Sequence, residues 1–315
     1  TTYTATELPY LGALWNHFTG STFRMRVDNI YIPKSGTAGN NVYTWTGGAN
    51  GNYQTSANWS PSRDCARRRD VLIFSGGTVN VTNVPDQTIG QIRLLNNASV
   101  TLKDPSLGGQ PSRLTLTGGP DDDLRIPSGS TLILDVVNTV LGNGIQLNML
   151  TNTTGVIAGT LRFDNTSTNP GGRPHQLLVA DPGAVHVKNG GRVEAIYLLN
   201  SNNPFGDSGG ENAVIFESGA TYLHDSGANP FGFDRPKSKV VFEPGSWYEF
   251  TYSGGLPAVS GRDYANFKYN VNSVKSLSGD YDYSIDTLVI SQGTLNFELN
   301  ATGTISGDVE VATGA

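Results

Sequence analysis

Residues Asn203–Tyr222 read NPFGDSGGENAVIFESGATY, and residues Asn229–Tyr248 read NPFGFDRPKSKVVFEPGSWY. Asn-Pro-Phe-Gly recurs at 203–206 and 229–232, and Phe-Glu-x-Gly at 216–219 and 242–245. A tyrosine closes each copy, Tyr222 and Tyr248, and all of these features keep one offset of 26 residues. A unit this short cannot enclose an apolar face alone. It can do so by coiling once and stacking on its neighbour. Parallel stacking sets equal positions above one another. The repeat therefore predicts Phe216 over Phe242 and Tyr222 over Tyr248, with Phe205 and Phe231 packing at the Asn-Pro-Phe-Gly turns. Gly219 and Gly245 are expected at a corner that only glycine turns without strain. Glu217 and Glu243 recur too, which points to a structural task such as accepting turn amides. Asn203 and Asn229 are expected to stack as an amide ladder.

Working outward, a glycine followed by an alternating strand occurs along much of the chain. Examples are GGTVNVT at 76–82, SGSTLIL at 128–134, AGTLRF at 158–163 and PGAVHV at 182–187. The interval from Gly245 to Gly293 is twice that from Gly159 to Gly183, and the longer gaps from Gly129 to Gly159 and from Gly183 to Gly219 read as one rung plus a loop insertion. Alternation puts Leu132 and Leu134, or Leu161 and Phe163, on one face of a strand. No stretch of about 12 residues has helical periodicity with good helix formers. The nearest, Glu7–Phe18, contains Pro9 and Gly12. The pattern predicts an all-β fold, a right-handed parallel β-helix (β-solenoid) with rungs of about 24–26 residues, over 41–315. Residues 1–40 fall outside the repeat and are expected to be an assembly or capping segment. They include a strand-like run, Thr22–Val27.

Composition agrees. Charged residues make up 15% of the chain, against roughly a quarter in ordinary globular proteins. Thirty-nine glycines suit many tight turns. A net charge of −6 gives no general attraction to nucleic acid or anionic membranes. No apolar run reaches the ~20 residues of a membrane span. The single cysteine, Cys65, excludes a disulfide-built scaffold. It lies in SRDCARRRD and reads as a loop thiol.

NVYTWTGGANGNYQTSANWSPSR at 41–63, followed by DVLIF at 70–74, resembles the opening of large secreted bacterial β-solenoid surface proteins, of the kind exported by type IX secretion. The resemblance rests on Trp45, Gly47, Asn58, Trp59, Pro61, Asp70 and Phe74. The run at 240–269 is similar to rungs of the same proteins. Residues 1–40 match no part of the pattern. The resemblance implies an extracellular or cell-surface location and the solenoid fold more strongly than any activity. Independently of it, Trp45 and Trp59 are suited to plug the first rung, with carbohydrate stacking as the rival role.

Solenoids also carry polysaccharide-degrading sites, which need clustered carboxylates or calcium. Asp121, Asp122 and Asp123 form a turn that is either solvated or a weak calcium site. No other cofactor is expected. In SGDYDYSID, Asp280 and Asp282 share one strand face and Tyr281 and Tyr283 the other, a candidate carbohydrate surface. Asp286 completes the acidic set. The four histidines, His17, His175, His186 and His224, lack metal-ligand spacing. No nucleophile elbow or phosphate loop is present. The basic run Arg63–Arg69 reads as a solvated loop with local ion pairs, or as a patch for acidic polysaccharide. The expected function is an extracellular structural or adhesive rod rather than an enzyme. Two alternatives stand beside it. One is a filament subunit joined end to end through the N-terminal segment. The other is a protein that binds surface glycans or degrades polysaccharide.

Overall fold

The structure is a computed structural model, and it describes residues 41–313 apart from 106–107, 138–139, 141 and 170. These belong to a compact unit at 39–315. The leading segment, with its strand-like run, lies outside the described residues.

The described chain is a parallel β-solenoid. Three sheets run along it, and in each the parallel strands follow one another in sequence order, as coiling requires; Trp59–Ser60 adds antiparallel to the outer edge of the first. The first sheet runs from Asn41–Trp45 to Val240–Phe242. The second runs from Asn50–Asn52 to Gly303–Ile305, through eleven successive levels. At a strand spacing of about 4.8 Å that sheet is roughly 50 Å long. The third has four strands, Gln87–Ile89, Ser112–Leu116, Ile145–Met149 and Gln176–Val179.

In-register stacking turns the alternation of each strand into apolar columns. On the second sheet one column is Val100, Leu132, Leu161, Val193, Tyr222, Tyr248, Phe267 and Leu288. All are buried, while the alternate residues face out. Apart from Phe74 and Phe163, the core is aliphatic where all three sheets are present. It becomes aromatic beyond Gln176–Val179, where the third sheet ends.

The doubled sequence explains that change. Each Asn-Pro-Phe-Gly is a turn that takes the place of a third-sheet strand. Leu177 N–H donates to Pro204 O at 2.8 Å, so the first turn sits directly on the last strand. Phe205 and Phe231 point inward and are buried. Phe216 pairs with Phe242 and Tyr222 with Tyr248, their rings stacked at 5.0 and 5.7 Å. Phe242 is only half-buried, unlike Phe216. Gly219 and Gly245 have φ of +78° and +86°, and Gly219 N–H bonds Gly245 O at 2.9 Å.

The levels vary in length beyond the loop insertions that the glycine spacing suggests, and the glycines do not mark equivalent positions. The step is much shorter from Trp247 to its partner Asn266 than from Ser112 to its partner Ile145. Gly159 does not match Gly183. It precedes Thr160–Phe163 of the second sheet, whose partner is Arg192–Ala195, while Gly183 leads into Val185–Val187 of the first. Gly293 lies inside the long strand Tyr283–Phe297, so its interval from Gly245 is not two equal rungs. The asparagines also behave differently from an amide ladder. Asn203 Nδ2 donates to the Asn229 backbone carbonyl, and each Asn Oδ1 accepts the N–H of the following Phe, at 3.0 Å. Glu217 bonds His186 and Lys188 on the level below rather than turn amides.

Candidate functional site

The motif at the start of the solenoid forms a closed cluster. Trp45 and Trp59 are cross-strand partners in the one antiparallel pair among the described strands, with edge-on rings 5.0 Å apart. Both are buried, and Trp59 Nε1–H donates to Tyr53 O at 2.9 Å. Gly47 is required here because a Cβ would lie 2.5 Å from the Trp45 ring. The two indoles plug the core and present no ring face to a ligand. Arg63 was expected in a solvated loop and is instead 6% exposed. Its guanidinium sits 5.5–5.7 Å from the rings of Tyr43, Tyr53 and Trp59. Its Nε donates to Asp70 at 3.0 Å and a terminal nitrogen to Gln87 at 2.8 Å. A guanidinium is weakly hydrated and stacks on aromatic faces, so it tolerates this burial when paired with a carboxylate. Cys65 remains exposed on the loop.

The acidic turn is split among different partners. Asp121 is exposed and pairs with Arg93 at 3.0 Å. Asp122 is half-exposed. Asp123 is buried and accepts Gln91 Nε2 and Thr154 N–H, each at 2.9 Å. Burial pushes its carboxyl above the usual range, and those hydrogen bonds oppose the shift. Asp280, Asp282 and Asp286 each reach forward to the next rung, to Asn300 Nδ2 (3.3 Å), Thr302 N–H (2.8 Å) and Ser306 Oγ (3.0 Å). They are rung-to-rung ties. Among the described residues no group of three His, Cys, Asp or Glu side chains could hold a metal ion.

The outer faces carry similar ladders. On the third sheet Arg113 donates to Gln146, Gln146 to Gln176, and Gln176 to Asn203 O. On the second sheet Arg162, Glu194, Arg192, Glu249 and Lys268 form a chain of ion pairs. Lys239, fully buried, donates to the carbonyls of Val179, Ser208 and Gly210 at 2.6–3.0 Å. That ammonium ties three levels together, and burial lowers its pKa.

One concavity brings charged groups together without neutralising them. It measures about 250 Å³, and Asn229, Arg235, Leu256, Ser260, Arg262 and Ser278 line it. Arg262 is 7% exposed. Its terminal nitrogens donate to the backbone carbonyls of Lys237 and Phe233, at 2.5 and 2.7 Å. Its Nε has no hydrogen-bond partner. Arg235 is exposed, donates to Ser260 O at 3.2 Å and lies 4.8 Å over the Tyr281 ring. Tyr281 is therefore beside this concavity. Tyr283 instead stacks on Phe297 at 5.8 Å. The interval from Arg235 to Arg262 is close to one repeat offset, and that was the only signal of their meeting in the sequence.

No family model, curated protein or solved structure matches the chain. No helix among the described residues is long and apolar enough to cross a membrane.

Proposed function

We propose that the chain is a structural or adhesive rod of the bacterial cell surface, exported as the proteins it resembles are. The observation that carries this reading is the second sheet. It stacks eleven levels without a break, and ionic and amide ladders run along the solenoid's outer faces. Asp280, Asp282, Asp286, Glu194 and Glu217 are engaged in holding rung to rung. Such a rod resists bending and transmits load along its axis, because every level is hydrogen-bonded to the next. Immunogold labelling of the source cells, with electron microscopy of the purified protein, tests the proposal. Surface label and rods about 50 Å long or more are expected. Label confined to the cytoplasm overturns it.

End-to-end assembly is a second reading, favoured by the exposed Val274 on the long strand Asp263–Leu277 (66% exposed). An exposed apolar strand edge invites another chain. Deleting residues 1–40 should then leave a folded rod that no longer polymerises. Protein that stays monomeric at high concentration with residues 1–40 intact removes this reading.

A further inference from the structure

We infer that the concavity between Arg235 and Arg262 binds a carboxylate-bearing sugar of about monosaccharide size, a hexuronate or the uronate residue of a glycan. This deepens the adhesive reading and rests on it for biological meaning, although binding itself can be measured without it.

The first ground is electrostatic. Burying a guanidinium is costly unless a carboxylate accompanies it. Arg63, equally buried, has Asp70 at 3.0 Å. Arg262 has two backbone carbonyls, an aromatic face at 4.5 Å from Phe231, and no carboxylate within ion-pair distance among the described residues. The charged groups that act on it are Arg235, which repels, and Asp234, which attracts. Tyr264 also faces it, but burial raises that phenol's pKa, so it is neutral at ordinary pH. Arg235 likewise has a carbonyl and a ring but no acid among the described residues. Two guanidiniums thus line one opening with no ion pair among the described residues, and Asp234 acts on Arg262 only from beyond ion-pair distance. An anion completes the site.

The second ground is the lining. Asn229, Ser260 and Ser278 offer amide and hydroxyl groups around the cations, and Leu256 and Tyr281 stand exposed at 54 and 53%. A polyhydroxylated acid fits this mixture: the carboxylate meets the guanidiniums, hydroxyls meet the polar rim, and a C–H face packs on the apolar residues. Pro257, Ala258, Val259 and Leu277 also line the concavity and supply its apolar side. Arg235, exposed and with one terminal nitrogen on Ser260 O, keeps further N–H groups for a carboxylate, while Arg262, held by Lys237 O and Phe233 O, contributes its charge from behind. A volume of about 250 Å³ matches one sugar ring rather than an extended oligomer.

Titration of the full-length protein with glucuronate and galacturonate, followed by calorimetry or by NMR, is the test. Glucose, inorganic sulfate and a short peptide with a free C-terminus serve as comparators. Saturable uronate binding is expected, with a dissociation constant of about 1 mM or tighter. Arg235→Gln, at an exposed position that leaves the core intact, should weaken binding about tenfold. Arg262→Lys tests the buried partner, and its circular dichroism confirms whether it folds. The inference is overturned if glucose binds as well as uronate, if sulfate or the peptide binds better, or if Arg235→Gln leaves uronate binding unchanged. Uronate binding by a protein that is not at the cell surface would sink the adhesive reading while leaving this site intact.

Discussion

Acid should loosen this solenoid through two buried histidines. His175 and His224 are both buried in the core. His175 Nδ1 accepts the Ile145 N–H at 3.0 Å, and its Nε2–H donates to Asp164 O at 2.9 Å. The ring is therefore held neutral, in one tautomer. His224 lies among Tyr222, Tyr248, Phe250 and Tyr252 and meets Tyr248 Oη at 2.6 Å. Burial pushes each pKa down from 6.5 to about 4. Above pH 6.5 both rings are neutral folded or unfolded, and the shift costs nothing. As pH falls below 6.5 the unfolded chain takes up protons that the folded chain refuses, so stability declines until pH 4. A drop of this size corresponds to about 3 kcal/mol per histidine over the full range, and about 2 kcal/mol of that falls between pH 7.5 and 5. Both rings are buried, so no discount for solvent screening applies. The assay is urea denaturation at pH 7.5, 6 and 5, for the parent protein and for His175→Asn, His224→Phe and the double variant. The variants will be less stable at pH 7.5, because hydrogen bonds are lost. What matters is the slope: each single variant should lose about half of the histidine-linked dependence, and the double variant nearly all of it. A double variant whose stability still falls as steeply as the parent's refutes the reasoning.

Phe216→Ala should cost about 3–5 kcal/mol, and Phe242→Ala less, because only the former is fully buried; paired denaturation curves decide the order. Lys239→Met should destabilise by about 3 kcal/mol or more, since three carbonyls lose one donor, and hydrogen exchange near Val179 and Ser208 should rise with it. Arg63→Ala should cost about 3–5 kcal/mol by stranding the charge of Asp70, whereas Arg68→Ala, in the same basic run, should change stability by less than about 0.5 kcal/mol, as the same denaturation assay will show. Asp282→Ala should speed exchange of the Thr302 amide and leave the protein without polysaccharide-degrading activity, as the parent is expected to be; loss of a parent activity would restore the enzyme alternative.

The repeat at 203–248 was enough to determine the solenoid and the stacked pairs within it. Parallel stacking gives equal positions equal surroundings, so a sequence that repeats must place Phe216 over Phe242 and Tyr222 over Tyr248. Trp45 and Trp59 were legible as a plug for a related reason: large rings next to the first strands have nowhere drier to go. Rung length was not legible elsewhere. Loops between strands vary freely at little energetic cost, so the short level after Trp247 and the long one after Ser112 stack as well as the repeated pair does. The rung-to-rung ties from Asp280, Asp282 and Asp286 looked like a free acidic set, because their partners Asn300, Thr302 and Ser306 share no residue type with them. Arg63 looked solvated because its neighbours in the chain are charged, yet its neighbours in space are three aromatic rings and Asp70. The concavity of Arg235 and Arg262 was decided by tertiary structure alone. Coiling places residues about one rung apart side by side, but the course of the loops determines whether their charges meet each other or meet an acid.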